Sequence, residues 1–208
     1  MYNILSLEVN NFSTDQSKMK AVSFSILIAL LTFVQLSWAQ DNANSLILKS
    51  ILEKYYKAEK PVYKGRSQLL YFYCNQANNN EEIFEAIRER QLPADFLKEM
   101  RSTVRTDLAE RDWSAALETI FETDKSNLKQ KISSCLTLEK YQEISKRLSL
   151  NNQRLMIVSK PLYYSKGNVA LVKVVFYRNI EHNNGAILLM EKDGNNWIIK
   201  EYLNPWST

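Results

Sequence analysis

The chain predicts one α+β domain, with a mainly helical half over residues 44–150 packed on a C-terminal antiparallel sheet over residues 153–206. Three observations carry that prediction. Apolar residues recur at a helical period from Asn44 to Leu148, the period drops to two after Asn152, and turn sequences punctuate the second half. Helices first and turn-linked strands afterwards argue an antiparallel meander rather than a parallel sheet.

The first helix is expected near Asn44 to Lys60. Ile47, Leu48, Ile51, Leu52 and Tyr55 fall on one face, Lys49, Glu53, Lys54 and Lys57 on the other, and Pro61 and Gly65 end it. The aromatic-rich run 68–74 follows, bounded by Asn75 and Asn78-Asn79-Asn80, and reads as a buried strand. From Asn80 to about Leu148 the pattern is helical throughout. Ile83, Phe84 and Ile87 line one helix before Pro93; Phe96, Leu97, Met100, Val104 and Leu108 line the next. Trp113, Ala116, Leu117, Ile120 and Phe121 fit the helical template without a miss, with Asp112 placed to cap them. Leu128, Ile132 and Cys135 make a shorter stripe, and Leu138, Tyr141, Ile144 and Leu148 another.

In the second half, Leu155 to Val158 starts a strand that runs toward Tyr164. Pro161 cannot donate to a ladder, so this strand is expected at a sheet edge or bulged there. Lys166-Gly167-Asn168 turns into Val169 to Arg178, expected as the longest strand, and Asn183-Asn184-Gly185 turns into Ala186 to Lys192. Asp193-Gly194-Asn195-Asn196 is a hairpin signal into Trp197 to Leu203. Ala170, Val172, Val174 and Phe176 are expected to face the helices, and Lys173 marks the opposite face. With the 68–74 strand added, the sheet resembles a nuclear-transport-factor-type cone, an analogy of fold alone.

Residues 1–39 read as a leader with a secretory signal peptide: a basic start at Met19-Lys20, an uncharged run from Ala21 to Leu36, and small residues at Ser37 and Ala39. The polar stretch before Met19 points to Met19 as the start, with an extended leader as the alternative. Cleavage is expected between Ala39 and Gln40, leaving a mature chain over residues 40–208 that is secreted or periplasmic. An uncleaved segment is the rival, and the one route to a membrane. Losing residues 1–39 leaves 25 basic against 21 acidic side chains. That excess is too mild to argue nucleic acid. Cys74 and Cys135 both lie in the exported part, where an oxidising compartment allows them to pair; two buried free thiols are the alternative. A single histidine, His182, leaves too few ligands for zinc, so no metal and no cofactor is expected.

Ser159-Lys160-Pro161-Leu162-Tyr163-Tyr164-Ser165, Ala170-Leu171-Val172, Gly185, Glu191-Lys192, Gly194, Trp197 and Trp206 form a spaced series over about 50 residues. It resembles the C-terminal β-meander module of uncharacterised small secreted proteins of Bacteroidota. Many of those proteins carry a Cys-Gly-rich hairpin where this chain has His182-Asn183-Asn184. The resemblance implies export and the meander, and assigns no activity.

No nucleophile–base motif appears, and His182 beside Glu181 reads as a loop histidine. Glu81, Glu85 and Glu89 share a helical face with Glu82 beside them, but Arg88 and Arg90 interleave, which suits a solvated helix start. Asp107, Glu110, Arg111 and Asp112 read as surface pairing between helices. Tyr163, Tyr164, Tyr177, Trp197, Tyr202 and Trp206 enrich the sheet in aromatics, which can stack on sugars or grip a partner's apolar groups. Strand propensity and core filling predict the same residues. The expectation is therefore a non-enzymatic binding module for a small molecule, glycan or protein, using that aromatic face or a pocket between sheet and helices. The alternative is a carboxylate-based hydrolase acting on envelope or extracellular polymers.

Overall fold

In the computed structural model, the described residues are 42–55, 70–78, 80–88, 90, 92–106, 111–123, 128–148, 154–164, 168–179 and 181–208. Asn44–Thr208 forms one compact unit. The leader, the Met19 start, the Ala39–Gln40 cleavage, the helix stop at Pro61 and Gly65, and the side chains of Glu89, Asp107 and Glu110 lie outside that set. Among the described residues, no helix is long and apolar enough to cross a membrane.

The elements run α1 (42–55), β1 (Leu70–Tyr73), α2 (Asn80–Ala86), α3 (Ala94–Thr106), α4 (Ser114–Thr123), α5 (Leu128–Lys131), β2 (Ile132–Leu136) and α6 (Leu138–Leu148). Then follow β3 (Leu155–Val158), β4 (Leu162–Tyr164), β5 (Val169–Tyr177), β6 (Asn183–Asp193) and β7 (Asn196–Ser207). The capping expected for α4 is present: Asp112 Oδ1 accepts the Ser114 N–H at 2.8 Å. Thr137 Oγ1 does the same for α6, accepting the Lys140 N–H at 3.3 Å.

All seven strands join one sheet in the order β2-β1-β3-β5-β6-β7, with β4 beside β5. Pairings from β3 to β7 are antiparallel, whereas β1 runs parallel to both β2 and β3. The strand through Pro161 is interrupted as its missing donor requires: β3 pairs with residues 174–177 of β5, and β4 pairs with residues 169–171. The β6–β7 hairpin closes through Gly194, whose φ of 58° the turn needs.

Three expectations are corrected. Residues 132–136 form a strand, not a continuation of helix. A bulge in the β1–β2 pairing lies between Leu70↔Ile132 and Phe72↔Cys135, so two residues three apart point into the same core cluster and imitate a helical stripe. The longest strand is β7, not β5, because Asn204 at φ 43° carries it past Pro205, which an edge strand tolerates. Finally, helices cover both faces of the sheet. On one face α1 and α4 bury Ile47, Leu48, Ile51, Leu52, Leu117 and Ile120 against Ala170, Val172, Val174, Leu188 and Met190. On the other, α2, the turn after it and α3 pack Ile83, Ile87, Phe96 and Met100 on Leu162, Leu171, Ile187 and Leu203, while Tyr141 of α6 packs on Tyr71 and Leu155. The alternation in β5 is as expected, but the face bearing Lys173 is buried too.

Cys74, just past the end of β1, and Cys135 of β2 form a disulfide, with Cα atoms 4.9 Å apart. Trp113, fully buried, donates its indole N–H to the Val158 carbonyl at 3.1 Å and so pins the start of α4 to β3.

Candidate functional site

A hollow of about 260 Å³ opens where the chain after α2 passes over the β5–β7 meander. Its floor is a row of side chains in register: Leu171 opposite Leu189, with Glu201 opposite Leu189 ending the row at the mouth and Leu203 two pairs along opposite Ile187. Ile87 and Leu92 form the roof, and Arg90 stands at the rim. The Arg90 N–H donates to the Ile87 carbonyl at 3.1 Å, and the Arg90 carbonyl accepts from Leu92 N–H at 2.8 Å. These two bonds fix the backbone that carries the guanidinium. Arg90 Nη2 then donates to Glu201 Oε1 at 2.6 Å, with both side chains nearly half exposed.

Glu201 reaches this face because of a bulge. Met190 pairs with Ile199 and Leu189 with Glu201, so Lys200 is an extra residue in β7. Trp197 and Ile199 therefore point into the α1–α4 core, while Glu201 and Leu203 point the other way. Beside the hollow lies a wide, open polar basin lined by Glu85, Ala86, Arg88, Arg90 and Asn204. Arg88 pairs with Glu85 there at 3.3 Å. Arg90 thus belongs to both cavities, apolar on one side and wet on the other.

A second constellation sits further along the same face. Lys173 is buried, its ammonium paired with Glu82 of α2 and lying 5.0 Å from the centre of the Trp206 ring. Burial pushes the Lys173 ammonium below the ordinary lysine range, despite the carboxylate beside it. Buried Ser159 accepts the Lys173 N–H at 2.9 Å through Oγ, tying the break between β3 and β4 to β5.

The aromatic residues expected to form one face are distributed among several environments. Tyr163 and Trp197 pack edge-on in the α1–α4 core, and Tyr163 O–H donates to Asn44 Oδ1 at 2.6 Å. Trp197 is buried, and its indole N–H has no hydrogen-bond partner among the described residues. Tyr164 lies against Phe96 on the other face. Tyr177 packs on Tyr141 and accepts from Gln142 Nε2 at 3.1 Å. Trp206 belongs with Lys173. Tyr202 is the exposed member, at 41%. It stands beside Tyr55, whose hydroxyl is pushed up by burial and then by Tyr202.

Glu81 and Glu85 face solvent on α2, and Asp112 serves as a cap. His182 is exposed, with Nδ1 3.1 Å from Asn179 Oδ1. Among the described residues no group of three or more His, Cys, Asp or Glu side chains is placed to hold a metal. Sequence reasoning missed the Arg90–Glu201 pair. The available signal was the broken alternation in Trp197-Ile198-Ile199-Lys200-Glu201-Tyr202-Leu203, where two adjacent charged residues interrupt the apolar run. For Lys173 the signal was a charge centred in an otherwise apolar strand.

No protein-family model, no curated protein and no solved structure matches this chain.

Proposed function

We propose that the protein is an exported, non-enzymatic binding module that holds a small amphipathic ligand in the hollow under Arg90. The observation that carries this reading is an aliphatic pocket whose rim bears one opposed charge pair. Such pockets combine an apolar lining with a few convergent polar groups that orient the ligand. The aromatic part of the expectation narrows to exposed Tyr202, since the other five aromatics are largely engaged in packing. A carboxylate hydrolase finds less support, because Glu81 and Glu85 are exposed on α2 and Glu85 is paired with Arg88.

Export is supported by the leader over residues 1–39, by the resemblance to secreted Bacteroidota proteins, and by the Cys74–Cys135 disulfide. The cone-like form draws support from the two irregularities in the β6–β7 pairing, which bend a sheet; helices on both faces depart from a cone open on one side. The test of binding is a thermal-shift screen of small amphipathic compounds, repeated on Leu189→Phe, which fills the hollow, and on Tyr202→Ala. Shifts lost in Leu189→Phe and kept in Tyr202→Ala support the hollow; shifts unchanged in Leu189→Phe remove it. Mass spectrometry showing residues 1–39 retained in a soluble intracellular product would remove export.

A further inference from the structure

The Arg90–Glu201 pair stands at the mouth of a hollow whose remaining walls are Ile87, Leu92, Leu171, Leu189 and Leu203. We infer that the ligand is a free aliphatic α-amino acid, with its side chain in the hollow, its carboxylate on Arg90 and its ammonium on Glu201. The inference rests on the binding reading above and specifies its ligand.

Size comes first. At about 30 Å³ for each water, the hollow has room for roughly nine waters, which accommodates an aliphatic side chain of leucine's size. The lining is entirely aliphatic apart from the rim, so the buried part of the ligand is an aliphatic chain rather than a polar or charged one.

Charge then selects the head group. The carboxylate and ammonium of an α-amino acid sit on one carbon, as close together as the guanidinium and carboxylate that they would engage. A zwitterion therefore replaces one ion pair by two and leaves no charge unmatched. A simple carboxylate would take Arg90 from Glu201 and set two like charges side by side; a simple amine would strand Arg90. Parting the existing pair costs little, because both side chains are nearly half exposed and Arg90 also borders the adjoining basin. That basin is itself balanced, with Arg88 matched by Glu85, so it adds no net preference for an anion.

The test is calorimetry and methyl NMR on the purified protein with four probes: L-leucine, glycine, isocaproate (leucine without its ammonium) and isoamylamine (leucine without its carboxylate). L-Leucine is expected to move the methyl resonances of Leu171, Leu189 and Leu203. Glycine is expected to leave them still, and each single-charge analogue to bind about tenfold or more weakly. Arg90→Gln and Glu201→Gln should each lose a similar factor for leucine with the melting temperature kept, since both positions are at the surface. Equal affinity for leucine and isocaproate, or wild-type leucine affinity in Glu201→Gln, overturns the amino-acid assignment while leaving a binding hollow in place. Four silent probes together with a silent amphipathic library overturn both.

Discussion

The Lys173 ammonium lies 5.0 Å from the centre of the Trp206 ring, and the Glu82 carboxylate closes on it from α2. A charge placed mid-sheet is thereby held between an aromatic face and a carboxylate whose own side chain is mostly exposed. Such an arrangement costs desolvation of the ammonium and recovers part of it through pairing.

Replacing Lys173 is therefore expected to be tolerated, while replacing its partner is not. Lys173→Met keeps the apolar stem and removes the buried charge, and should leave stability unchanged or higher in urea unfolding. Glu82→Gln keeps an acceptor but removes the opposing charge, and should destabilise by about 1–3 kcal/mol. A fall on Lys173→Met as large as that on Glu82→Gln would show that the charge itself holds the fold.

Gly185 carries the second prediction. A Cβ built there would collide with the Trp206 indole and with the Val174 carbonyl, so the indole crosses the strand where no side chain stands. Gly185→Ala should destabilise by about 1–3 kcal/mol, the usual cost of forcing extra volume into packed surroundings. Adding Trp206→Ala should relieve only part of that loss, because the Val174 carbonyl remains. Full recovery in the double variant would place the whole conflict at the ring.

Reduction of Cys74–Cys135 is expected to lower stability by about 4 kcal/mol, from the loop of some 60 residues that the bond closes in the unfolded chain. Matched urea titrations with and without reductant measure it. Because the bond also ties the residue just past β1 to β2, Cys74→Ala/Cys135→Ala should lose amide protection first in β2, which at the sheet edge has β1 as its one strand neighbour among the described residues. Uniform loss across the sheet would contradict that order.

Sequence and structure agree where one local signal decides the outcome. Asp112 caps α4 because its side chain meets an unpaired helical donor two residues on, and the Asp193–Asn196 turn needs only a glycine in the right place. The even residues of β5 face α1 and α4 because alternation in a strand is strict. What escaped were places where a bulge resets the count. Ile132 and Cys135 share a face only because β2 holds an extra residue, and Glu201 turns toward Arg90 only because Lys200 does the same in β7. The candidate site was hidden for that reason: its two charged residues lie 111 positions apart and meet through a register that no periodicity displays. The aromatic set misled in the opposite way. Strand propensity placed the tyrosines and tryptophans in the sheet correctly, but burial on two faces dispersed them.

Alkali should reveal the buried ionisable groups through opposing slopes. Burial raises the hydroxyls of Tyr141 and Tyr55 above the ordinary tyrosine value, so both stay neutral in the fold after the unfolded chain has begun to ionise. Above about pH 10 the folded state holds more protons than the unfolded one, and stability falls as pH rises. Lys173 acts in the reverse sense. With its value lowered by burial, the unfolded chain holds the extra proton up to the ordinary lysine range near 10.5, so stability rises with pH through that window. The two effects meet near pH 10, giving a rise followed by a fall in the urea midpoint. Lys173→Met should flatten the rise and leave the fall. Tyr141→Phe, which loses an O–H bond to the Arg178 carbonyl at 3.4 Å, should shrink the fall and leave the rise. A wild-type profile that is level from pH 8 to 10 would show that Glu82 offsets the desolvation of Lys173 in full.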